Sequence, residues 1–466
     1  VILSIKGLIY IIIYMVVGSI QIFSIGPQDF YLSGNPQITF FKSVFRRHTR
    51  FSSKTERLYF DGSDPTFGSE NLQLTIKNNG DLLGNVYVKA IITATTNEAG
   101  VYTINHFGNS LIKKVSVLIG QNIIDTHRSP WFQIHDELYN RHDENEENIS
   151  SLKGGKNTNF NFLADINQNN FNIKKRIIGD MPLVFGGGSR NNDLVNGVGT
   201  YSKVLYIPLK FWFNKISGMY LPLAALYKHN VNLQFDIETI NNLIGNNTNI
   251  TNMSINFQVY GNFITLDEDE KRKFSQSNHE YVIEQLQLND GEQGFQTTSN
   301  VEVNNNELSE MNVELNFQHP VKYLTWVIVN KGTLNQNSGM GPCYFCSLTN
   351  NSLYGNDGNY GSADIYIGGL EKEITLNMTH FTRYQYLNYK MNIPQLDRIG
   401  FYSFCLKPLS NEPSGSCNFS RIKDNFIKFK FANNNLDNLK NKTLYLFGIN
   451  YNVLLITDGM GMLRFS

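Results

Sequence analysis

The chain has 466 residues, enough for two domains of ordinary size and too many for one compact core. Lys plus Arg and Asp plus Glu both number 40, a balance that argues against a protein that coats nucleic acid and suits one that packs against its own copies. Charged residues are only 17% and aromatics 13%, mostly Phe and Tyr, which suit half-buried pleated surfaces.

Val1 to Ile25 is almost wholly apolar, broken by Lys6 and a few small polar residues. Taken literally it is a marginal membrane span or signal anchor; the preferred reading is that residues 1–14 extend the reading frame upstream of a start at Met15. Residues 26–36 read as an arm carrying Phe30, Tyr31 and Leu32 between turn formers, or else as an ordinary first strand. The turn Gly34-Asn35-Pro36 then leads through a short amphipathic run into a basic cluster: Lys42, Arg46, Arg47, His48 and Arg50. No nucleophile–base pair and no phosphate-cradling glycine loop accompanies it. With Phe30 and Tyr31 it forms a candidate assembly contact, either between subunits or on an inner face, because the planar guanidinium fork suits paired interfaces. Nucleic acid, lipid headgroups and a merely solvated face are the alternatives.

Period-two alternation dominates the rest. Leu72, Leu74 and Ile76 alternate with polar residues and end at the turn Asn78-Asn79-Gly80; Val86, Val88, Ala90 and Ile92 resume the pattern. Val231 to Ile237, Ile255 to Val259, Val313 to Phe317 and Ile427 to Phe431 repeat it. Such strands make antiparallel sheets that pack in pairs. Helical signals are short: His127 to Tyr139, with Ser129-Pro130 at its start; Leu221 to His229; and Asp267 to Ser275. Residues 141–201 and 330–362 read as long polar loops. The alternation breaks at 241–252, predicting one β domain over 26–240 and a second over 253–466.

Chemistry-bearing residues are scattered. Cys343 and Cys346 have a spacing that could begin a zinc site, but Cys405 and Cys417 form no second short pair, so incidental thiols are the better reading. His127, His135, Asp136 and Glu137 match no metalloenzyme spacing and are expected to flank Trp131 on a short surface helix. Asp267 to Glu270 precede Lys271-Arg272-Lys273 and read as a solvated helix start. His279 and His319 are read as structural. Ser414-Gly415-Ser416 lacks the Gly-x-Ser-x-Gly elbow and reads as a tight strand connection. Among many Asn-x-Ser/Thr matches, Asn148 and Asn350 lie in the expected loops and are the candidate glycosylation acceptors. No catalytic, metal or cofactor-binding residues are assigned.

Several blocks, in order, resemble the major capsid proteins of the nucleocytoplasmic large DNA viruses. They are the 34–51 segment, Asn109 to Asp125, Ile207-Pro-Leu-Lys-Phe-Trp-Phe213 with Leu221 to His229, Leu266 to Tyr281, His319 to Trp326, Tyr402 to Phe404 with Pro413 to Arg421, and the tail Asn450 to Gly461. The resemblance covers nearly the whole chain; the apolar extension and the 141–201 loop depart from it. It implies an all-β chain of two consecutive eight-stranded antiparallel jelly rolls with long loops and a few short helices. It further implies a structural protein without enzymatic activity or cofactor, forming homotrimeric, pseudo-hexagonal capsomers. These would tile an icosahedral virion shell with neighbouring capsomers, over minor capsid proteins and an inner membrane, after assembly in the host cytoplasm and without sequence-specific nucleic acid binding. A carbohydrate-binding jelly-roll protein and a membrane-linked minor capsid protein are the rival readings.

Overall fold

The computed structural model describes residues 22–23, 25–43, 45–96, 101–102, 104, 107–139, 184–185, 199–244, 250–289, 293–294, 309–330, 345, 360–394, 398–431 and 442–465. Most of the amino-terminal apolar stretch, most of both long polar loops, Cys343, Cys346, Asn148 and Asn350 lie outside the described residues. The chain divides into two units, 1–49 and 50–466.

In the first unit, residues 26–36 form no strand. Gly26 N–H donates to Asp29 Oδ2 at 2.8 Å, a one-turn helix follows over Phe30–Ser33, and Gly34 N–H closes it on Phe30 O at 2.9 Å. Beyond Ser33 the described residues of this unit have no helix or strand.

The second unit is built of antiparallel strands. Its first part holds β1 (Phe51–Leu58), β2 (Leu72–Ile76), β3 (Leu82–Thr96), β4 (Val101–Tyr102), β5 (Ile112–Ile119), β6 (Asn122–Arg128), β7 (Val184–Phe185), β8 (Gly199–Pro208), β9 (Val231–Ile237) and β10 (Ile250–Leu266). The order β1-β10-β3-β8 makes one sheet and β2-β9-β5-β6 the other, with β4 and β7 a minor pair. The alternating apolar residues meet between the two sheets: Val88, Ala90, Val115, Val117, Leu233 and Phe235 are fully buried in one cluster. Each such side chain removed from water contributes about 1.5–3 kcal/mol if large and less if it is Ala.

The later part holds β11 (His279–Leu288), β12 (Gln293–Gly294), β13 (Ser309–Glu314), β14 (Pro320–Asn330), β15 (Tyr360–Ile367), β16 (Leu370–Asn377), β17 (Gly400–Ser403), β18 (Cys417–Asn418), β19 (Phe426–Phe431), β20 (Lys442–Thr457) and β21 (Met460–Leu463). Here β13-β19-β15-β16 faces a larger sheet with the path β11-β20-β14-β17, to which β12, β18 and β21 add. Leu324, Trp326, Ile328, Ile365, Ile427 and Leu446 fill the space between.

The larger sheet is buried on its other side as well. Tyr323, Val327 and Val329 of β14, with Phe447 and Ile449 of β20, join Trp131, Ile134 and Leu138 in a third cluster. Those last three lie at i, i+3 and i+7 on the Ser129–Tyr139 helix, one stripe of a 3.6-residue period. The next residue round, Phe132, belongs to the core of the first part. The helix is therefore a wedge between the two cores, and the expected surface helix around Trp131 is corrected: its apolar stripe is too wide for water.

Other expectations also change. The break at 241–252 is not the boundary between sheets, because β10 starts at Ile250 and runs between β1 and β3 to Leu266. At the start of that break the described residues Ile240–Ile244 form a short helix ahead of the long strand. The helix starts at Ser129, since His127 and Arg128 still pair with Val115 and Lys114. The expected helix at 221–229 is one 3-10 turn, Leu223–Ala225. Leu221 bridges to Leu83, and Lys228 N–H bonds Gly459 O at 3.0 Å, so tertiary partners take the backbone groups a helix would need.

Candidate assembly site

The amino-terminal unit presents its large side chains to solvent. Tyr31, Phe40 and Phe41 are 94%, 90% and 98% exposed, and Phe30 is 68% exposed. Lys42, Arg46, Arg47 and His48 are exposed too, as is Arg50 at the start of the next unit. His48 Nδ1 sits 2.7 Å from Thr49 O. These values leave an ordinary core role unavailable to the aromatic residues, since a buried ring would be nearly fully covered.

A second site lies where the two parts of the β unit meet. Glu284 of β11 is almost buried, and its Oε2 and Oε1 accept from Lys215 Nζ and Lys322 Nζ, each at 2.5 Å. Lys322, in β14, is wholly buried and also donates to Ser410 O at 2.6 Å. The two ammonium groups stand over aromatic rings, Lys215 at 5.3 Å from Tyr139 and Lys322 at 5.6 Å from Tyr451. Burial alone would raise the Glu284 carboxyl, but Lys215 and Lys322 outweigh it and hold the group below its ordinary value. Burial dominates at Lys322, whose ammonium is lowered in spite of Glu284. Burial, with Tyr139 beside it, pushes the Tyr323 hydroxyl well above its ordinary range, and the two hydroxyls lie 3.2 Å apart.

Two further bonds cross the same junction: Asp125 Oδ1 accepts the Leu286 N–H at 3.0 Å, and Gln285 Nε2 donates to Ile124 O. Within β6, Asp125 Oδ2 also lies 3.0 Å from His127 Nε2. These charges and bonds fix geometry more than they add stability, because each ion had to leave water first. Sequence reading missed the triad. Its one signal is Lys322, a lone cation inside the run Val321 to Val329.

The histidines and carboxylates set aside in the sequence do not converge: among the described residues no group of three or more His, Cys, Asp or Glu could hold a metal ion. His127 stacks on Phe211 at 4.4 Å and His135 on Tyr139 at 4.1 Å. Asp136 is paired with Lys210 at 2.7 Å. Glu268, Asp269 and Glu270 sit in the first turn of the Glu268–Gln276 helix, and Lys271 reaches Asp81 at 3.1 Å. His279 Nε2 lies 2.7 Å from Phe274 O. Gly415 has φ +133°, and an added Cβ would press on Phe404 O, as a tight connection requires. Cys405 is buried and Cys417 half-buried. No helix among the described residues is long and apolar enough to cross a membrane.

Comparison with known proteins gives one consistent result. The family model for the major capsid protein N-terminus matches residues 39–267, and that for the large eukaryotic DNA virus major capsid protein matches 270–462. The two meet at the helix after β10. The chain is 32% identical to the major capsid protein of Pyramimonas orientalis virus, over 96% of this chain and 99% of that one. It is 29% identical to that of Paramecium bursaria Chlorella virus 1, with the same coverage. The PBCV-1 VP54 structure superposes with a TM-score of 0.69 at 26% identity, covering 92% of this chain and all of that one. The Faustovirus major capsid protein shares the fold, with a TM-score of 0.59 at 12% identity, covering 93% of this chain and 94% of that one.

Proposed function

The chain belongs to the large eukaryotic DNA virus major capsid protein family, and from that membership we propose how it builds a shell. Its role is structural rather than enzymatic, and its fold is the double jelly roll. The first domain runs from the arm to Leu266, where β10 ends, and the second follows the Glu268–Gln276 helix. Three chains close around a three-fold axis, and their six similar barrels give a pseudo-hexagonal outline. Closed rings of this kind arise from head-to-tail contacts whose rotation returns to the start. Obligate contacts between chains are large and apolar at their centres.

The observation that supports this most is the junction. A shared buried sheet, the wedge helix and the Lys215–Glu284–Lys322 triad hold the two parts as one rigid block. A building block with that rigidity can tile a flat face without shape change. Trimers then meet neighbouring capsomers, with minor capsid proteins and an inner membrane beneath, after assembly in the host cytoplasm. Lys42, Arg46, Arg47, His48, Arg50, Phe30 and Tyr31 contribute the contact on the inner face. Light scattering on the purified protein should give three times the 53.2 kDa chain mass; a lone chain at all concentrations would end this reading.

A further inference from the structure

We propose that the segment from Phe30 to Arg50 is a lipid-contacting element that lays its rings into an anionic bilayer surface. This rests on the reading above, in which a membrane lies beneath the shell.

Charge carries the first part. From residue 30 to residue 55 there is no Asp or Glu, while Lys42, Arg46, Arg47, Arg50 and Lys54 are present, in a chain whose net charge is zero. Exposure carries the second. Phe30, Tyr31, Leu32, Phe40, Phe41 and Phe45 all stand in water, within a segment whose described residues have no strand and only one helical turn. Rings and cations alternate along it: Phe40-Phe41-Lys42, then Phe45-Arg46-Arg47. A bilayer interface accepts both at one depth, rings among the upper acyl chains and Arg heads at the phosphates. Duplex DNA would pair with the cations and leave Leu32 and the Phe side chains in water. A protein partner would need a separate pocket for each ring. Upstream, residues 1–25 carry Lys6 as their one charged residue, so the sequence continues in the direction of greater hydropathy.

The test is flotation of the full chain with vesicles of phosphatidylcholine, with or without a minority of phosphatidylserine. The chain should float with the anionic vesicles, stay behind with the neutral ones, and be released by salt. Arg46→Ala with Arg47→Ala should lower the partition about 25-fold, about fivefold for each cation removed. Phe40→Ser with Phe41→Ser should also lower it, with urea unfolding unchanged. Anionic vesicles left unbound, or the charge variant floating like the parent, would overturn the proposal. So would arginine-dependent binding of duplex DNA without vesicle binding, which assigns the cluster to nucleic acid. Loss of the light-scattering oligomer in the arginine variant, again without vesicle binding, assigns it to a second copy. If vesicles are not bound but trimers still form, the lipid contact fails and the shell reading stands.

Discussion

Gly400 of β17 lies opposite Trp326 of β14 in register, and the indole ring occupies the space where a Cβ at position 400 would stand. Trp326 is fully buried and packs edge-on against Phe381 at 5.4 Å and Phe429 at 6.1 Å, so it has nowhere to retreat. Only glycine lets the two strands pair with the ring in place.

Gly400→Ala should therefore destabilise the chain by about 3 kcal/mol, near the upper end for overpacking. Gly62→Ala, where nothing lies within 4 Å of the added atom, should be near neutral. Urea unfolding midpoints of the two variants check this; equal midpoints would refute the steric account.

Removing the centre or one end of the buried triad should have unequal effects. Glu284→Gln leaves Lys215 and Lys322 facing each other without a counter-charge and should cost about 3–5 kcal/mol. Lys322→Met leaves Glu284 still paired with Lys215 and should cost clearly less. Denaturant titration of both variants decides it, and the reverse ranking would contradict the assigned pairing.

Acid should weaken the wedge through His135. Burial, then Lys210, Lys215 and His127, hold its imidazole well below the ordinary 6.5, so the folded chain keeps it neutral. The unfolded chain takes up the proton near 6.5. Stability from this group is therefore complete above that value and falls as pH drops below it, by about 1.4 kcal/mol per pH unit until the folded group itself titrates. His135→Phe should flatten the slope of stability against pH below 6.5, and an unchanged slope would remove His135 from the account.

The wedge helix should matter to both cores. Trp131→Ala strips a buried side chain from the junction cluster and Phe132→Ala one from the first core. Each should cost about 3–5 kcal/mol by calorimetry. Should Trp131→Ala prove mild, the helix does not bind the two parts together.

Much of the fold was legible because one-sided strands announce themselves. Leu72 to Ile76 and Val231 to Ile237 alternate cleanly and are strands with those limits. β14 did not fit that rule: residues 321–329 are buried without interruption, since water touches neither face. The end of the first sheet lies later than the sequence suggests, because an Asn-rich stretch reads the same whether it ends a domain or merely precedes its last strand. The burial of His127 and Asp136 was invisible for another reason. Polar residues read as surface until what covers them, here Phe211 over His127 and Lys210 beside Asp136, arrives from a distant connection. The aromatic and basic residues of the arm stood out in the sequence, but their exposure could be learned only from the fold.

The sheet with a core on each side has one more consequence. Unfolding either part would strip a wall from the other, so neither can melt alone while its neighbour stays intact. Heat should see a single cooperative transition, and a particle made of such chains would resist stress up to a sharp limit instead of softening by degrees.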